Sequence, residues 1–309
     1  MKKILIVSLA AAAALFMGCQ KNAVQAPETR TVRVSASASE LVTKVTSSNK
    51  GRFTWQKDDA IGIWTGSEIT KFTLDPQWDG FGYGEFVGEL PSGGKIDASS
   101  YAVYPFGEIE SATATECSFT GLSGWGIPQK TIRLYAKGEP TETEGTVANY
   151  TFHHCYTYFK VTLKNIREDA GCVFIESTKQ FLPVATSIDF SGATPAVNVT
   201  ETNDWTHVVF PEHKGKLESF TFIVPVKPDT FTEDFKFAVK LYSGENFKGT
   251  QYAEHYGWLT APTFAPGDYY IFPDITYPNA KTIDDSGSGV NDGVEDSVVI
   301  VQDPDGFWK

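Results

Sequence analysis

The sequence predicts an all-β protein built from two sandwich domains. Many short segments alternate apolar and polar residues with a period of two, and Gly or Pro residues separate nearly all of them. After the N-terminal stretch, no window carries apolar residues at helical spacing for three turns. At roughly 100 to 200 residues per domain, a chain of 309 residues is expected to form two domains.

Composition excludes two classes of protein. Hydrophobic residues make up 41% of the chain, which is enough to build cores and excludes disorder for most of it. The formal net charge is -12, and no cluster of Lys and Arg is present. Because nucleic-acid binding depends on clustered basic residues, we expect no nucleic-acid partner.

The N-terminus predicts export. Lys2 and Lys3 precede the apolar run 4–16, which at 13 residues is shorter than the ~20 needed to span a bilayer as a helix. The following residues through Gly18 and Cys19 resemble the lipobox of a bacterial lipoprotein, in which the cysteine becomes lipidated, although Phe16 is an unusual residue at its position. Residues 1–18 are then the signal peptide, and 309 − 18 = 291 residues remain. A plain secretory signal is the alternative.

Residues 19–30 are polar and suit a flexible tether, and a first strand follows. Apolar residues on one parity predict this strand, although they are small: Val32, Val34, Ala36 and Ala38. A polar loop follows at Thr46–Arg52. Apolar residues then recur at alternate positions within Phe53–Trp64, which predicts the next strand.

Alternation and turn residues predict the remaining strands. We expect them at Thr70–Leu74, Gly84–Leu90, Tyr101–Phe106, Thr131–Ala136, Thr151–Lys164, Cys172–Ser177, Thr206–Phe210, Leu217–Val226, Phe235–Tyr242, Gln251–Thr260 and Asp268–Phe272. The polar stretch Gly138–Asn149 predicts a boundary between an N-terminal sandwich at 31–145 and a C-terminal sandwich at 146–280.

The last segment, 281–309, combines an acidic linker with an apolar end. Asp284–Asp296 is rich in Gly, Ser, Asp and Asn, and is followed by Val298–Val301 and the dipeptide Phe307-Trp308. Four consecutive β-branched residues left exposed would favour aggregation, so this segment is expected to pair with another strand.

Chemical motifs are weak throughout. No catalytic signature of a hydrolase, metalloprotease or nucleotide-binding enzyme occurs, so we predict no enzyme and no cofactor. His153, His154 and Cys155 are consecutive strand residues that point to opposite faces, which predicts one buried and one surface histidine and no metal site. Asp58 and Asp59 are expected to cap a turn.

Three further groups have a structural interpretation as well as a functional one. The acidic residues around Asp284–Asp296 lack the ligand spacing of a calcium loop, so a solvated linker is favoured. The tryptophans could stack on sugars, but packing is the commoner role. Without Cys19, three cysteines remain, and we predict no structural disulfide among Cys117, Cys155 and Cys172.

Taken together, several segments resemble the fimbrillins, the type V pilins and Mfa-like lipoproteins of Bacteroidales. The resemblance is carried by the lipobox, the weak first strand with its basic loop, the segments Trp55–Trp64 and Tyr101–Phe106, and Phe152-His153-His154 at the start of a long strand. It covers nearly the whole chain through loose motifs. It implies two tandem transthyretin-like antiparallel β-sandwich domains and a lipoprotein precursor that is trimmed in the loop after the first strand.

The resemblance further implies assembly by donor-strand exchange. Cleavage at Arg52 would remove 31–52, and the C-terminal strand of another subunit would fill the resulting groove. The candidate donor residues are Val298, Val299, Ile300 and Val301. The expected location is the outer membrane as a lipoprotein and then the fimbrium, with other pilin subunits as partners.

The tail is long enough for this role. The 26 residues from Asp284 can extend to roughly 85 Å, whereas a 130-residue domain has a radius of gyration of about 14 Å. Burial of the four donor residues would contribute on the order of 6 to 12 kcal/mol as an upper bound.

Two features depart from a stalk pilin. The tail is long and acidic, and Asp296-Ser297-Val298 resembles an O-glycosylation sequon of these bacteria, where a sugar would hinder insertion. The interpretation of the chain as an accessory, tip or anchor subunit therefore stays open. The alternative function is a non-polymerising surface lipoprotein that binds a glycan or a host protein through loops bearing Trp78 or Trp125.

Overall fold

The computed structural model describes residues 29–39, 42–43, 53–122, 132–140, 147–212, 215–244, 249–277 and 299–301. Strands dominate these ranges, and the only helical segments in them are the short 3-10 turns Pro76–Trp78 and Phe106–Glu108. The all-β prediction is confirmed.

The strands are numbered in chain order. They are β1 (Arg30–Ala38), β2 (Val42–Thr43), β3 (Ala60–Trp64), β4 (Ile69–Leu74), β5 (Tyr83–Leu90), β6 (Tyr101–Tyr104), β7 (Ile109–Ala112), β8 (Glu116–Phe119), β9 (Leu134–Lys137), β10 (Glu139–Pro140), β11 (Ala148–His154), β12 (Thr157–Ile166), β13 (Ala170–Ser177), β14 (Leu182–Asp189), β15 (Ala196–Asn203), β16 (Trp205–Val209), β17 (Leu217–Val226), β18 (Asp229–Thr230), β19 (Phe235–Ser243), β20 (Gln251–Leu259), β21 (Thr263–Phe264), β22 (Asp268–Ile271), β23 (Ile275–Thr276) and β24 (Val299–Val301).

The N-terminal half forms a sheet that closes on itself. Its order is β1-β5-β4-β3-β6-β9-β11-β10, and β1 also pairs with β11, which joins the two sides. We call this element the closed sheet. Every second residue of a strand points inward. The apolar residues that alternate along the sequence of these strands therefore fill the interior of the closed sheet.

Trp55 lies at the centre of this interior. It is fully buried, and its ring contacts those of Phe53, Phe86, Tyr104 and Phe152 edge-on at centroid distances of 4.7, 5.0, 5.5 and 5.7 Å. Edge-to-face packing of this kind is the preferred geometry of aromatic rings and fixes how the strands sit against one another.

The C-terminal half is a two-sheet sandwich. One sheet has the order β17-β12-β22-β2, with β23 also on β12, and the other has the order β16-β13-β19-β20-β24. Phe159 of the first sheet lies at the centre of the core between them, with ring centroids 5.3 Å from Phe264 and 5.0 Å from Phe272.

A further sheet combines strands from both predicted domains. Its order is β15-β14-β8-β7, so the hairpin β7–β8 from the first half pairs with β14 from the second. Beside it lies a third buried cluster, to which Tyr101, Tyr156 and Phe190 belong, and Tyr101 and Phe190 stack at 3.9 Å. The domain division at 145/146 stays a prediction, and this sheet crosses it.

Two predicted strands differ from the observed ones. Phe53–Trp64 is a strand only at Ala60–Trp64, since Lys57 and Asp58 form a turn. Thr151–Lys164 is two strands, β11 in the closed sheet and β12 in the sandwich, and the chain passes between the sheets at Cys155 and Tyr156. Both of these residues are fully buried, so the apolar pattern continues through the bend.

Several local predictions are confirmed. His153 is exposed, whereas His154 is buried. The Asp59 carboxylate accepts from the backbone N–H of Gln56 at 2.7 Å, which caps the turn as expected. Cys117, Cys155 and Cys172 are free and buried.

Replacement of Phe159 by Ala should lower the free energy of unfolding by roughly 3 to 5 kcal/mol, because it opens a cavity among five rings of the sandwich core. Phe81→Ala is the matched control, since Phe81 is 57% exposed and should change stability by less than about 0.5 kcal/mol. Urea unfolding followed by circular dichroism measures both. Equal effects of the two substitutions would contradict this account of the core.

Candidate functional site: the position of β1 between β5 and β11

β1 is held by hydrogen-bonded neighbours on both sides. It is antiparallel to β5 from Arg30↔Leu90 to Ser37↔Tyr83, and parallel to β11 from Ser35↔Asn149 to Ala38↔Phe152. The small inward residues of β1 predict a strand that is weakly held. The structure instead shows hydrogen-bonded partners on both of its sides. Without β1, β5 and β11 would face each other across a gap of about 10 Å, twice the usual strand spacing.

The inward face of β1 contributes to the core of the closed sheet. Val32, Val34 and Ala36 are 6%, 0% and 1% exposed and pack in the same cluster as Trp55 and Phe86. Glycines stand opposite the two ends of this row, at Val32↔Gly88 and Ala36↔Gly84.

Those glycines are required by close packing. A Cβ on Gly88 would lie 2.7 Å from the Phe72 ring, and one on Gly84 would lie 2.6 Å from Leu74 Cδ1. Both contacts are with side chains of β4, so these glycines set how β4 packs on β5. The position of β1 itself, which we call the slot, holds the aliphatic row Val32, Val34 and Ala36.

The outward face of β1 is polar. Arg33 Nη1 donates to Asp75 at 2.8 Å and to Glu85 at 3.4 Å, and this pairing holds the pKa of Asp75 below its usual range. The Ser35 hydroxyl donates to the amide oxygen of Asn149 on β11. Exposed ion pairs of this kind add at most about 1 kcal/mol, so the inward residues and the two ladders dominate the binding of β1.

His154 contacts Ser39, the residue that follows β1. The Ser39 N–H donates to the Phe152 carbonyl at 2.7 Å, and His154 Nε2 lies 3.2 Å from the Ser39 carbonyl oxygen. A carbonyl oxygen only accepts, so Nε2 carries the proton, and Nδ1 lies 3.4 Å from the Tyr158 hydroxyl, which donates to the Arg133 carbonyl oxygen at 3.5 Å. Burial lowers the pKa of His154 to about 4, which keeps the ring neutral.

The C-terminal strand pairs within its own chain. β24 lies antiparallel to β20, with Val299↔Trp258, Ile300↔Gly257 and Val301↔Tyr256. Val299, Ile300 and Val301 therefore form a strand at a sheet edge of their own chain, and their role as a donor to another subunit stays a prediction.

Other predicted site residues fall outside the described residues. These are Cys19, Arg52, Trp125 and Val298. Sequence reasoning did not identify β5 and β11 as the two neighbours of β1. Alternation along a strand reveals which face is buried, and it carries no information on pairing partners.

A second feature lies beside the outward face of β1. The rings of Trp78, Phe81 and Tyr83 pack edge-on, with Trp78 6.1 Å from Phe81 and 5.1 Å from Tyr83. Tyr83 also borders a cleft of about 270 Å³ whose other lining residues are Ser35, Ala36, Ser37, Asn149, Tyr150 and Thr151. This cleft has hydroxyl and amide groups and no charged residue in its lining.

Two kinds of feature are absent from the described residues. They contain no group of three or more His, Cys, Asp and Glu side chains able to hold a metal ion. They also contain no helix of the length and hydropathy needed to cross a membrane.

Comparisons with known proteins give weak structural likenesses. No protein family and no curated protein matches the sequence. The fold is similar to a candidate cell adhesion protein from Bacteroides ovatus, with 13% identity, a TM-score of 0.44 and coverage of 90% of this chain and 97% of the other.

Two further solved structures are similar at lower scores. A fimbrial protein from Bacteroides vulgatus has 10% identity, a TM-score of 0.34 and coverage of 88% and 98%. The fimbrial anchor protein Mfa2 from Porphyromonas gingivalis has 10% identity, a TM-score of 0.29 and coverage of 73% and 82%.

His154→Gln should flatten the dependence of stability on pH between about 6.5 and 4. The folded-state pKa of about 4 lies below the ordinary 6.5, so the neutral ring contributes stability that is complete above pH 6.5 and is lost as the pH falls toward 4. The contribution is on the order of 3 kcal/mol. His255, whose pKa is also lowered to about 4, retains its own share in the variant.

Urea unfolding at several pH values between 4 and 7 measures this slope. His153→Gln is the control, because His153 is exposed and should leave the slope unchanged. A His154→Gln slope identical to that of the parent would refute the assignment.

Proposed function

We propose that this chain is a structural subunit, stalk or accessory, of a type V pilus, exported as a lipoprotein and assembled by donor-strand exchange after cleavage near Arg52. The observation that supports it most is the position of β1. This strand alone joins β5 to β11 directly among the described strands, and the short strand β2, which pairs with β22, lies between it and Arg52 along the chain. One cut at Arg52 would separate β1, which has a neighbour on each side, and β2 from the rest of the chain.

The slot fits the tail in its side-chain chemistry. The inward positions of β1 hold Val and Ala, and the tail offers Val, Val, Ile and Val. Because strand residues alternate, two of these four would point inward, either Val298 and Ile300 or Val299 and Val301. At ~1.5 to 3 kcal/mol each, they would contribute roughly 3 to 6 kcal/mol.

This contribution is close to that of β1 itself. Val32 and Val34, both buried, contribute about the same roughly 3 to 6 kcal/mol, and either strand forms the same two ladders. Burial alone therefore does not drive one strand to replace the other. Proteolysis would favour the donor strand over β1. A cut segment is free to dissociate, whereas a donor tail stays covalently attached to its own subunit.

A lipid anchor fits the same proposal. Lipidation of Cys19 would hold the precursor at the outer membrane, since each buried CH₂ adds about 0.8 kcal/mol of membrane affinity. Cleavage near Arg52 would separate the fold from that anchor. The partners would be other pilin subunits, and the non-enzymatic role agrees with the absence of a catalytic motif in the sequence.

Arg52→Ala should abolish both trimming and assembly in cells that produce the protein. The matched control is Lys50→Ala in the same loop, which keeps Arg52 and should trim and assemble normally. Gel electrophoresis without boiling displays assembly as a ladder of high-mass species, and N-terminal mass spectrometry reports trimming. A second variant that ends at Asp296 should trim but form no ladder. Ladders from the Arg52→Ala chain, or from the chain that ends at Asp296, would overturn the proposal.

A second candidate function is supported by the aromatic group beside β1. Phe81 and Tyr83 are 57% and 43% exposed and pack against Trp78, and Tyr83 borders a cleft lined by hydroxyl and amide groups. Neutral saccharides present apolar C–H faces and many hydroxyls, so stacking and hydrogen bonding of this type suit them.

Trp78→Ala should reduce binding of this chain to a glycan array by about tenfold or more, since it removes the ring against which Phe81 and Tyr83 pack. Circular dichroism verifies that the variant is folded. Binding that is equal in the two proteins, or absent from both, would eliminate this site.

A further inference from the structure

His154 lies at the point where the N-terminal segment leaves the slot. β1 ends at Ala38, and the carbonyl oxygen of the next residue, Ser39, lies 3.2 Å from His154 Nε2. The chain then continues to β2, which pairs with β22 next to Gly267. A Cβ on Gly267 would lie 3.7 Å from His154 Cδ2, so the imidazole lies between the slot and the place where β2 pairs.

The same imidazole contacts the chain on the far side of Arg52. Phe53 is the first described residue after Arg52, and its ring centroid lies 6.4 Å from that of His154 in an edge-on arrangement. Phe53 is buried in the core of the closed sheet together with Trp55. Cleavage at Arg52 would therefore leave this contact in place, and the contact with Ser39 belongs to the segment that is released.

Ser39 supplies the hydrogen-bond acceptor at one edge of the ring. The Nε2–H of His154 donates to its carbonyl oxygen, while Nδ1 at the other edge lies 3.4 Å from the Tyr158 hydroxyl. Within the part of the chain that the structure describes, the Ser39 carbonyl is the one acceptor for this N–H. A buried donor without an acceptor is costly. When the segment leaves the slot, water must therefore replace Ser39 at Nε2.

No carboxylate pairs with the imidazole among the described residues. His153, its neighbour on β11, is exposed and points to the opposite face. The Arg133 guanidinium is directed at the Thr120 carbonyl oxygen, and the Asp268 carboxylate accepts from the Ala265 N–H at 3.0 Å. While the slot is occupied, a protonated ring would therefore be buried without a counter-charge, which is unfavourable.

Hydration and protonation of the ring are therefore coupled. Burial lowers the pKa of His154 to about 4 while Ser39 covers the ring, whereas an imidazole in contact with water has an ordinary pKa of about 6.5. The state with an occupied slot thus binds fewer protons than the state with an open slot. Because the equilibrium follows the difference in bound protons, a fall in pH from about 6.5 to 4 favours the open state.

We propose that His154 is a pH-sensitive latch, whose neutral ring holds the strand in the slot and whose protonated ring releases it. The contact is to a backbone carbonyl, which every residue supplies, so the latch acts on any strand in this position. The opening of β1 takes place in the uncut chain and does not depend on the proposed pilin function. If that function is also correct, mild acid favours release of β1 after cleavage.

Hydrogen exchange of the uncut full chain, measured by mass spectrometry at pH 5, 6 and 7, tests the latch. Protection factors are corrected for the intrinsic exchange rate at each pH and are compared between β1 and β17 of the sandwich. The variant is His154→Gln, whose amide N–H can still donate to Ser39 but does not titrate. The control is His153→Gln, because His153 is exposed. Circular dichroism verifies that both variants are folded.

In the parent chain and in the control, β1 should exchange faster than β17 at every pH. Its protection should fall about twentyfold from pH 7 to pH 5, which is the factor given by a pKa of about 4 in the occupied state and about 6.5 in the open state. His154→Gln should reduce this fall to less than about threefold, while β17 keeps the pH dependence due to His255. Three results would overturn the proposal: protection of β1 that does not fall in the parent chain, that equals the protection of β17 at every pH, or that falls equally in His154→Gln. If His154→Gln does not fold, the first two results, read on the parent chain, decide the question.

Discussion

The two-sided pairing of β1 is the constraint on which the rest of this structure depends. β5 and β11 meet only through this strand, so the closed sheet exists because β1 forms one antiparallel and one parallel ladder. The core residues around Trp55 are then shielded on all sides. Any strand with a row of small or medium aliphatic residues could satisfy the same two ladders, since the backbone hydrogen bonds do not depend on sequence.

The proposed function requires that β1, although well held, be exchanged for another strand, and the contacts of β1 are compatible with this. β1 is joined to the fold by backbone ladders, by Val32 and Val34, and by weak polar contacts outside. None of these uses a side chain that only this segment could supply. Covalent connection through the loop at Arg52 keeps the strand in place, and proteolysis there would change the competition between β1 and a donor without altering any contact in the slot.

Sequence periodicity predicted much of the fold and little of the site. The bounds of β17 agree with the prediction at both ends, because Phe220, Phe222 and Val224 are buried at every second position while Ser219 and Thr221 beside them are exposed. The strands β7 and β15 were missed, since Glu110, Ser111 and several residues of β15 are exposed and leave no apolar row. The strands β8 and β14 were missed as well, although they have buried apolar residues such as Phe119 and Ile188. The closure of β1 on β11 could not be predicted, because a parallel pairing between residues more than 110 positions apart leaves no local pattern.

The C-terminal segment has two alternative positions, one on its own chain and one on another copy. In the structure, β24 lies on β20 of its own chain, whereas the proposed function seats it between β5 and β11 of another copy. A photo-reactive residue at position 300, in a mixture of isotopically labelled and unlabelled chains trimmed at Arg52, distinguishes the two by mass spectrometry of the cross-links. The account predicts cross-links between labelled and unlabelled chains that join position 300 to Tyr83–Leu90 or Ala148–His154. Cross-links found solely within single chains, to Gln251–Leu259, would contradict it.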